Sequence, residues 1–119
     1  MKNVGLFREI VSFIERHPEH WDQTHWHCGT THCVAGFIEQ RVNGRSFCSE
    51  ATAVRPEMVH WQTFAVGRDT LGLSTKKANW LFDPKRTLAE LQIVAKHGKV
   101  TNRMMRRSGM ERLLASTTT

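Results

Sequence analysis

Asn3-Val4-Gly5-Leu6-Phe7-Arg8-Glu9-Ile10-Val11-Ser12-Phe13-Ile14-Glu15-Arg16-His17-Pro18 is the stretch that decides the fold class. On a wheel at ~100° per residue, Val4, Leu6, Phe7, Ile10, Val11, Phe13 and Ile14 fall within one half, while Arg8, Glu9, Ser12, Glu15 and Arg16 take the other. An amphipathic helix with one buried stripe follows. Pro18 ends it, because proline has no N–H to extend the ladder.

Working outward, residues 18–30 show no period, and Trp21, Trp26 and the histidines there form an aromatic loop that must pack on the body to be ordered. Val34, Ala35, Phe37, Ile38 and Val42 predict a second helix over 31–43, with Thr30 or Thr31 as its cap and Asn43-Gly44 as a left-handed stop. Residues 45–55 read as a loop or a short helical turn. Pro56 opens a third helix that runs to Leu71 and stops at Gly72. Met58, Val59, Trp61, Phe64, Ala65, Val66 and Leu71 surround most of its wheel, so it is expected to be central, with the first helix laid on it. Ser74 caps a fourth helix to Phe82, Thr87 a fifth ended by Gly98, and residues 101–115 give a sixth interrupted at Ser108-Gly109. No useful alternating run and no fixed-period repeat occurs, so the expected class is all-α. The expectation is one compact helical domain of five to six helices over 1–115, with a basic part at 76–115 and a frayed tail at 116–119.

The 119 residues carry a net charge of +6, and the excess is not spread evenly. Residues 1–75 hold seven Lys/Arg against eight Asp/Glu, and residues 76–119 hold ten against three. The rear third therefore carries all of the surplus. No apolar run approaches the ~18 residues of a membrane span, and the start lacks the plan of a signal peptide, so a cytoplasmic protein is expected, in host cytoplasm if the protein is viral. Three cysteines without an export signal argue against a disulfide scaffold. Neither paired carboxylates with ligand spacing nor a Gly-rich phosphate loop occurs, which leans the reading away from an enzyme.

Five of seven histidines lie between positions 17 and 32, and the run His20 to Cys33 holds six imidazole or thiol groups. Zinc takes four such ligands, and His25, Cys28, His32 and Cys33 are the candidate set, with Cys48 a remote alternative. No CxxC supports it, and the competing reading makes Cys33, Val34, Ala35 and Gly36 small packing residues with His32 exposed. A nucleophilic Cys28 or Cys33 near a helix start is a further possibility, and the segment superficially resembles the papain stretch in which a cysteine opens a buried helix. It departs by two extra residues between the cysteines, and the strands that carry the partner His and Asn are missing.

Ile14-Glu15-Arg16-His17-Pro18, Trp21-Asp22-Gln23, Cys28-Gly29-Thr30-Thr31-His32-Cys33-Val34-Ala35-Gly36 and Leu71-Gly72-Leu73, with Ala78 and Leu81-Phe82, carry a resemblance. In this order they resemble a set of small uncharacterised helical proteins of bacteria and their phages, most specifically in the Cys-Gly-Thr-Thr-x-Cys-x-Ala-Gly segment. The resemblance implies a shared helical domain, an origin in phage or mobile elements, and a structural role for Cys28 and Cys33. It implies no activity.

Lys76, Lys77, Lys85, Arg86, Lys96, Lys99, Arg103, Arg106 and Arg107 are the candidate contacts of the basic rear, with Arg112 completing the excess. In one continuous helix Lys99, Arg103, Arg106 and Arg107 would share a face, as residues tracking phosphates do. The helices at 74–82 and 87–97 also have the size of a helix-turn-helix, with Glu90, Gln92 and Lys96 as its only base readers. The expected function is a small non-enzymatic binding protein engaging nucleic acid through this surface. The alternatives are a phage-type regulatory or inhibitory protein on an acidic protein partner, for which Met104, Met105 and Met110 would supply adaptable apolar contacts, and a His/Cys zinc protein at 20–33.

Overall fold

The computed structural model describes residues 1–51 and 56–116, residues 56–60 by their backbone alone. Seven α-helices are present among the described residues: α1 (Val4–Arg16), α2 (Val34–Val42), α3 (Pro56–Leu71), α4 (Thr75–Leu81), α5 (Leu88–His97), α6 (Asn102–Met105) and α7 (Arg107–Ser116). A 3-10 turn (Pro18–His20) and an antiparallel pair, β1 (His27–Cys28) and β2 (Thr31–His32), fill the stretch between α1 and α2. The chain is mostly helical, not all-α. Strands of two residues are too short to leave an alternating pattern in sequence.

Ser116 closes α7, so the expected tail loses its first residue, and Thr117–Thr119 lie outside the described residues, as do positions 52–55 of the expected loop. The extra helix arises at Arg106, whose extended backbone separates α6 from α7. Gly109, expected to break the helix, lies inside α7 instead, where a Cβ would collide with the carbonyl oxygen of Arg103. It lets α7 fold back closely on α6.

The central element is α2 rather than α3. Every residue from Val34 to Gln40 is buried, which a surface helix with one apolar stripe does not show. Among the described positions 61–71 of α3 the buried residues are Thr63, Leu71 and the close-packed Gly67, and Trp61 is 70% exposed. Met58 and Val59 lie outside the described side chains. Gly67 is where α3 meets its neighbours, since a Cβ there would press on the Phe82 ring at 2.9 Å and on Ala35. Among the described residues α1, with its buried stripe Phe7, Ile10, Val11 and Ile14, packs chiefly on α2 and α5, where α3 was expected. Polar ties reinforce those contacts: Arg8 Nε donates to the Ala95 carbonyl at 2.8 Å, and Arg41 pairs with Glu9. The chain start is tied to the end of α3, through Lys2 N–H to the Leu71 carbonyl (2.8 Å) and Asn3 Nδ2 to the Thr70 carbonyl (2.6 Å).

Ser74 and Thr87 cap the helices expected of them. Ser74 caps α4, Thr87 forms a capping box with Glu90 at the start of α5, and Thr101 caps α6. Gly98 ends α5 at φ 70°.

Candidate functional site

The helix expected from Thr31 starts only after Cys33, because residues 27–32 are used by the hairpin. Gly29 at φ 61°, followed by Thr30 with negative φ, makes the two-residue connection that suits a tight hairpin. The register pairs His27 with His32 and Cys28 with Thr31. Paired residues share a face, so the two imidazoles meet, Nδ1 to Nδ1 at 2.6 Å, and Cys28 points to the opposite, exposed side. Gly36 seats α2 on this hairpin, since a Cβ there would fall on the Trp26 carbonyl oxygen and crowd His32 and His27.

A line of buried polar groups results. His32 Nε2 lies 2.8 Å from the Ser49 carbonyl, and His27 Nε2 lies 2.7 Å from Glu39 Oε1. Glu39 also accepts from Thr63 Oγ1 (2.9 Å) and Gln62 Nε2 (3.2 Å). Burial pushes the Glu39 carboxyl up, but the donors His27, Thr63 and Gln62 outweigh it and leave the group below its ordinary range. Burial pushes His32 down to about 4, against the Ser49 carbonyl and with help from the nearby His27 and His20.

The Ser49 carbonyl orients the histidine pair. A carbonyl only accepts, so His32 carries its hydrogen on Nε2, and a neutral His32 then offers Nδ1 as an acceptor. His27 then donates from Nδ1 to His32, and its Nε2 faces the Glu39 carboxylate at hydrogen-bond distance. Glu39, His27 and His32 stand in line, each hydrogen-bonded to the next.

The four expected zinc ligands are not brought together. His25 is exposed and bonded to Asp22 at 2.8 Å, and Cys28 is exposed on the outer side of β1. His32, expected to be exposed, is fully buried with both nitrogens engaged. Cys33 is buried at the N-cap of α2, where its sulfur accepts from the Gly36 N–H, and burial pushes its thiol up to about 12. Among the described residues no group of three or more His, Cys, Asp or Glu side chains is placed to hold a metal ion. A thiol held so firmly is a packing group and not a nucleophile. The His27–Glu39 contact escaped the sequence reading, because Glu39 opens the polar run Glu39-Gln40-Arg41 and nothing local marks it as buried.

The basic rear is arranged differently from a single helical face. Lys99 precedes the Thr101 cap of α6, and the extended Arg106 re-aims the chain, so Lys99, Arg103, Arg106 and Arg107 belong to separate segments. The helix-turn-helix pairing is not formed either. α4 packs on α3, whereas α5 packs on α1 and α7, and Glu90 is held by Thr87 and Arg86. Arg86 is mostly buried, its guanidinium 4.3 Å over the Trp80 ring and 3.0 Å from Glu90, so it braces the turn before α5.

A cleft of about 470 Å³ gathers part of the rest. Lys77 from α4 and Lys99 from the segment after α5 line it with Met1, Ser74, Thr101 and Asn102, and no carboxylate belongs to the lining. Lys76 and Arg103 are exposed beside these residues in sequence. Lys76, Lys85, Lys96, Lys99, Arg103 and Arg106 make no ion pair among the described residues, whereas Arg107 reaches Glu111 at 3.2 Å. Among the described residues no helix is long and apolar enough to cross a membrane. In comparisons with protein-family models, curated proteins and solved structures, nothing matched this chain.

Proposed function

We propose that this protein is a small non-enzymatic nucleic-acid-binding protein that holds the phosphate backbone at the cleft between α4 and α6. The observation that carries the reading is the cleft itself. Lys77 and Lys99, far apart in sequence, line one polar concavity with three side chains able to hydrogen-bond and no acid to compete for the ammonium groups. Phosphate contacts of this kind supply affinity without reading sequence, and release of condensed counterions makes them steeply salt-dependent.

Base readout has little support. The side chains expected to read bases are one tied glutamate, Glu90, and the exposed Gln92 and Lys96, on a helix held on two sides by α1 and α7. The reading is therefore of sequence-tolerant binding.

The test is fluorescence anisotropy of a labelled duplex and a labelled single strand from about 50 to 200 mM salt. The double variant Lys77→Glu, Lys99→Glu should weaken binding to all sequences alike and lower the salt slope by about two, one for each phosphate contact removed. Failure of the unmodified protein to retain either nucleic acid at the lowest salt would sink the reading.

A further inference from the structure

A second, larger cleft of about 650 Å³ lies on the other part of the basic rear, where α6 and α7 meet the turn before α5. Its floor is apolar: Trp80, Met104, Met105, Met110 and Leu114. Met104 and Met110 are almost fully buried, and Met105 is half-buried and so still available to a ligand. Unbranched thioethers re-pack around differently shaped partners, which suits a surface that takes up apolar side chains.

Charge decides which kind of partner fits. Lys85, Arg86 and Arg107 line the same cleft, and two acids, Glu90 and Glu111, line it too. Glu90 is consumed internally, by the Thr87 cap and by Arg86, and is mostly buried. Glu111 meets Arg107 in an exposed pair, the weak kind that an incoming carboxylate can exchange with. Lys85 has no ion pair among the described residues. Arg86 adds an independent observation: its Nε–H is buried and finds no acceptor, although the rest of the guanidinium is stacked on Trp80 and bonded to Glu90. A buried donor without an acceptor is uncommon in a folded protein and costly to leave so.

We propose that this cleft docks an acidic, apolar-containing protein segment, whose large apolar side chains lie on the methionines while its carboxylates meet Lys85, Arg107 and, after a small shift of the side chain, the vacant donor of Arg86. The phosphate cleft lacks such a floor, and this one lacks the acid-free lining that polyanions prefer. The two sites are separable. The docking reading rests on different residues from the nucleic-acid reading and stands or falls apart from it.

The probe is a capped synthetic peptide of three Glu-Leu-Phe-Asp repeats carrying a fluorophore, titrated with the full chain. Peptides of the same length made of glutamate alone, or with lysine in place of both acids, serve as controls. Binding of the mixed peptide at least about tenfold tighter than either control is expected. Met105→Glu and the exposed Lys85→Glu should each weaken it about tenfold or more, while the double variant at Lys77 and Lys99 leaves it unchanged. Circular dichroism confirms that each variant is folded, and Lys85→Glu keeps the test decisive if Met105→Glu is not. The proposal is overturned if the mixed peptide does not bind, if oligoglutamate binds as well, or if a DNA duplex displaces the peptide from the Lys77/Lys99 double variant.

Discussion

Lowering the pH from 7 to 5 should weaken the fold through one buried side chain. His32 is fully buried and holds its imidazole neutral, with a folded pKa of about 4 against 6.5 for the free side chain. Between those values the unfolded chain binds a proton that the folded chain refuses, so stability falls as pH drops through this window and the loss is complete below about 4. Some two to three units at about 1.4 kcal/mol each give a full loss of about 3 kcal/mol, a large part of the 5–15 kcal/mol typical of a domain. Most of the slope, approaching 1.4 kcal/mol per pH unit, falls between about pH 5 and 6. Glu39 acts in the same direction but lower down, because its depressed carboxyl contributes stability above its ordinary value of 4.5 and loses it only below. The assay is urea unfolding followed by circular dichroism at pH 7.5, 6 and 5, where an m-value near 1.5 kcal/mol/M turns the expected change into a midpoint drop of about 1 M. His32→Gln removes the titrating group and should unfold more easily at pH 7.5 but with a flatter pH dependence. A wild-type midpoint that is the same at pH 7.5 and 5, or a variant that keeps the full slope, would refute the proton arrangement.

Gly36→Ala should cost on the order of 3 kcal/mol or abolish folding, because the new methyl falls on the Trp26 carbonyl and nothing can yield without lifting the hairpin; a thermal melt reads it. Gln23 bonds Trp21 Nε1, the Val34 N–H and the carbonyls of Leu81 and Asp83, so Gln23→Leu should lower stability by about 2–3 kcal/mol through orphaned partners, measured by urea midpoint. A mild alkylator at neutral pH should modify Cys28 and Cys48, which are exposed, and spare the buried Cys33 until denaturant is added; mass spectrometry would show two adducts, then three. Chelation by EDTA should leave helicity and melting temperature unchanged, since His25, Cys28, His32 and Cys33 do not converge.

The helices were legible in the sequence wherever their ends carry local chemistry. Pro18, Ser74, Thr87 and Gly98 mark boundaries within about one residue of where they fall, because capping is decided by neighbours in the chain. Burial was less legible. The wheel of α3 looked central, yet Trp61 faces out and α2 takes the middle, since what surrounds a helix depends on elements distant in sequence. The hairpin escaped because two-residue strands have no period, and without it the segment from Thr31 read as helix and His32 as exposed. The site shows the same division. Lys77 and Lys99 could be named as cations from their positions, but only the folded chain brings them to the lining of one cleft, and the break at Arg106 dissolves the single helical face the spacing implied.

The burial of α2 on all sides also bears on how such a protein changes over generations. Seven consecutive positions, Val34 to Gln40, are buried, and Gly36 and Glu39 are tied to particular partners across the hairpin and α3. The cations Lys76, Lys96 and Arg103, by contrast, stand on the outside of short, separately capped helices, with Lys85 exposed on the turn before α5, and none of them makes an ion pair among the described residues. Selection can rewrite that outer surface, and with it the partner, while the interior stays fixed. Among distant descendants of this fold, the core around the histidine pair would be the surviving signature and the binding preference the part that drifts.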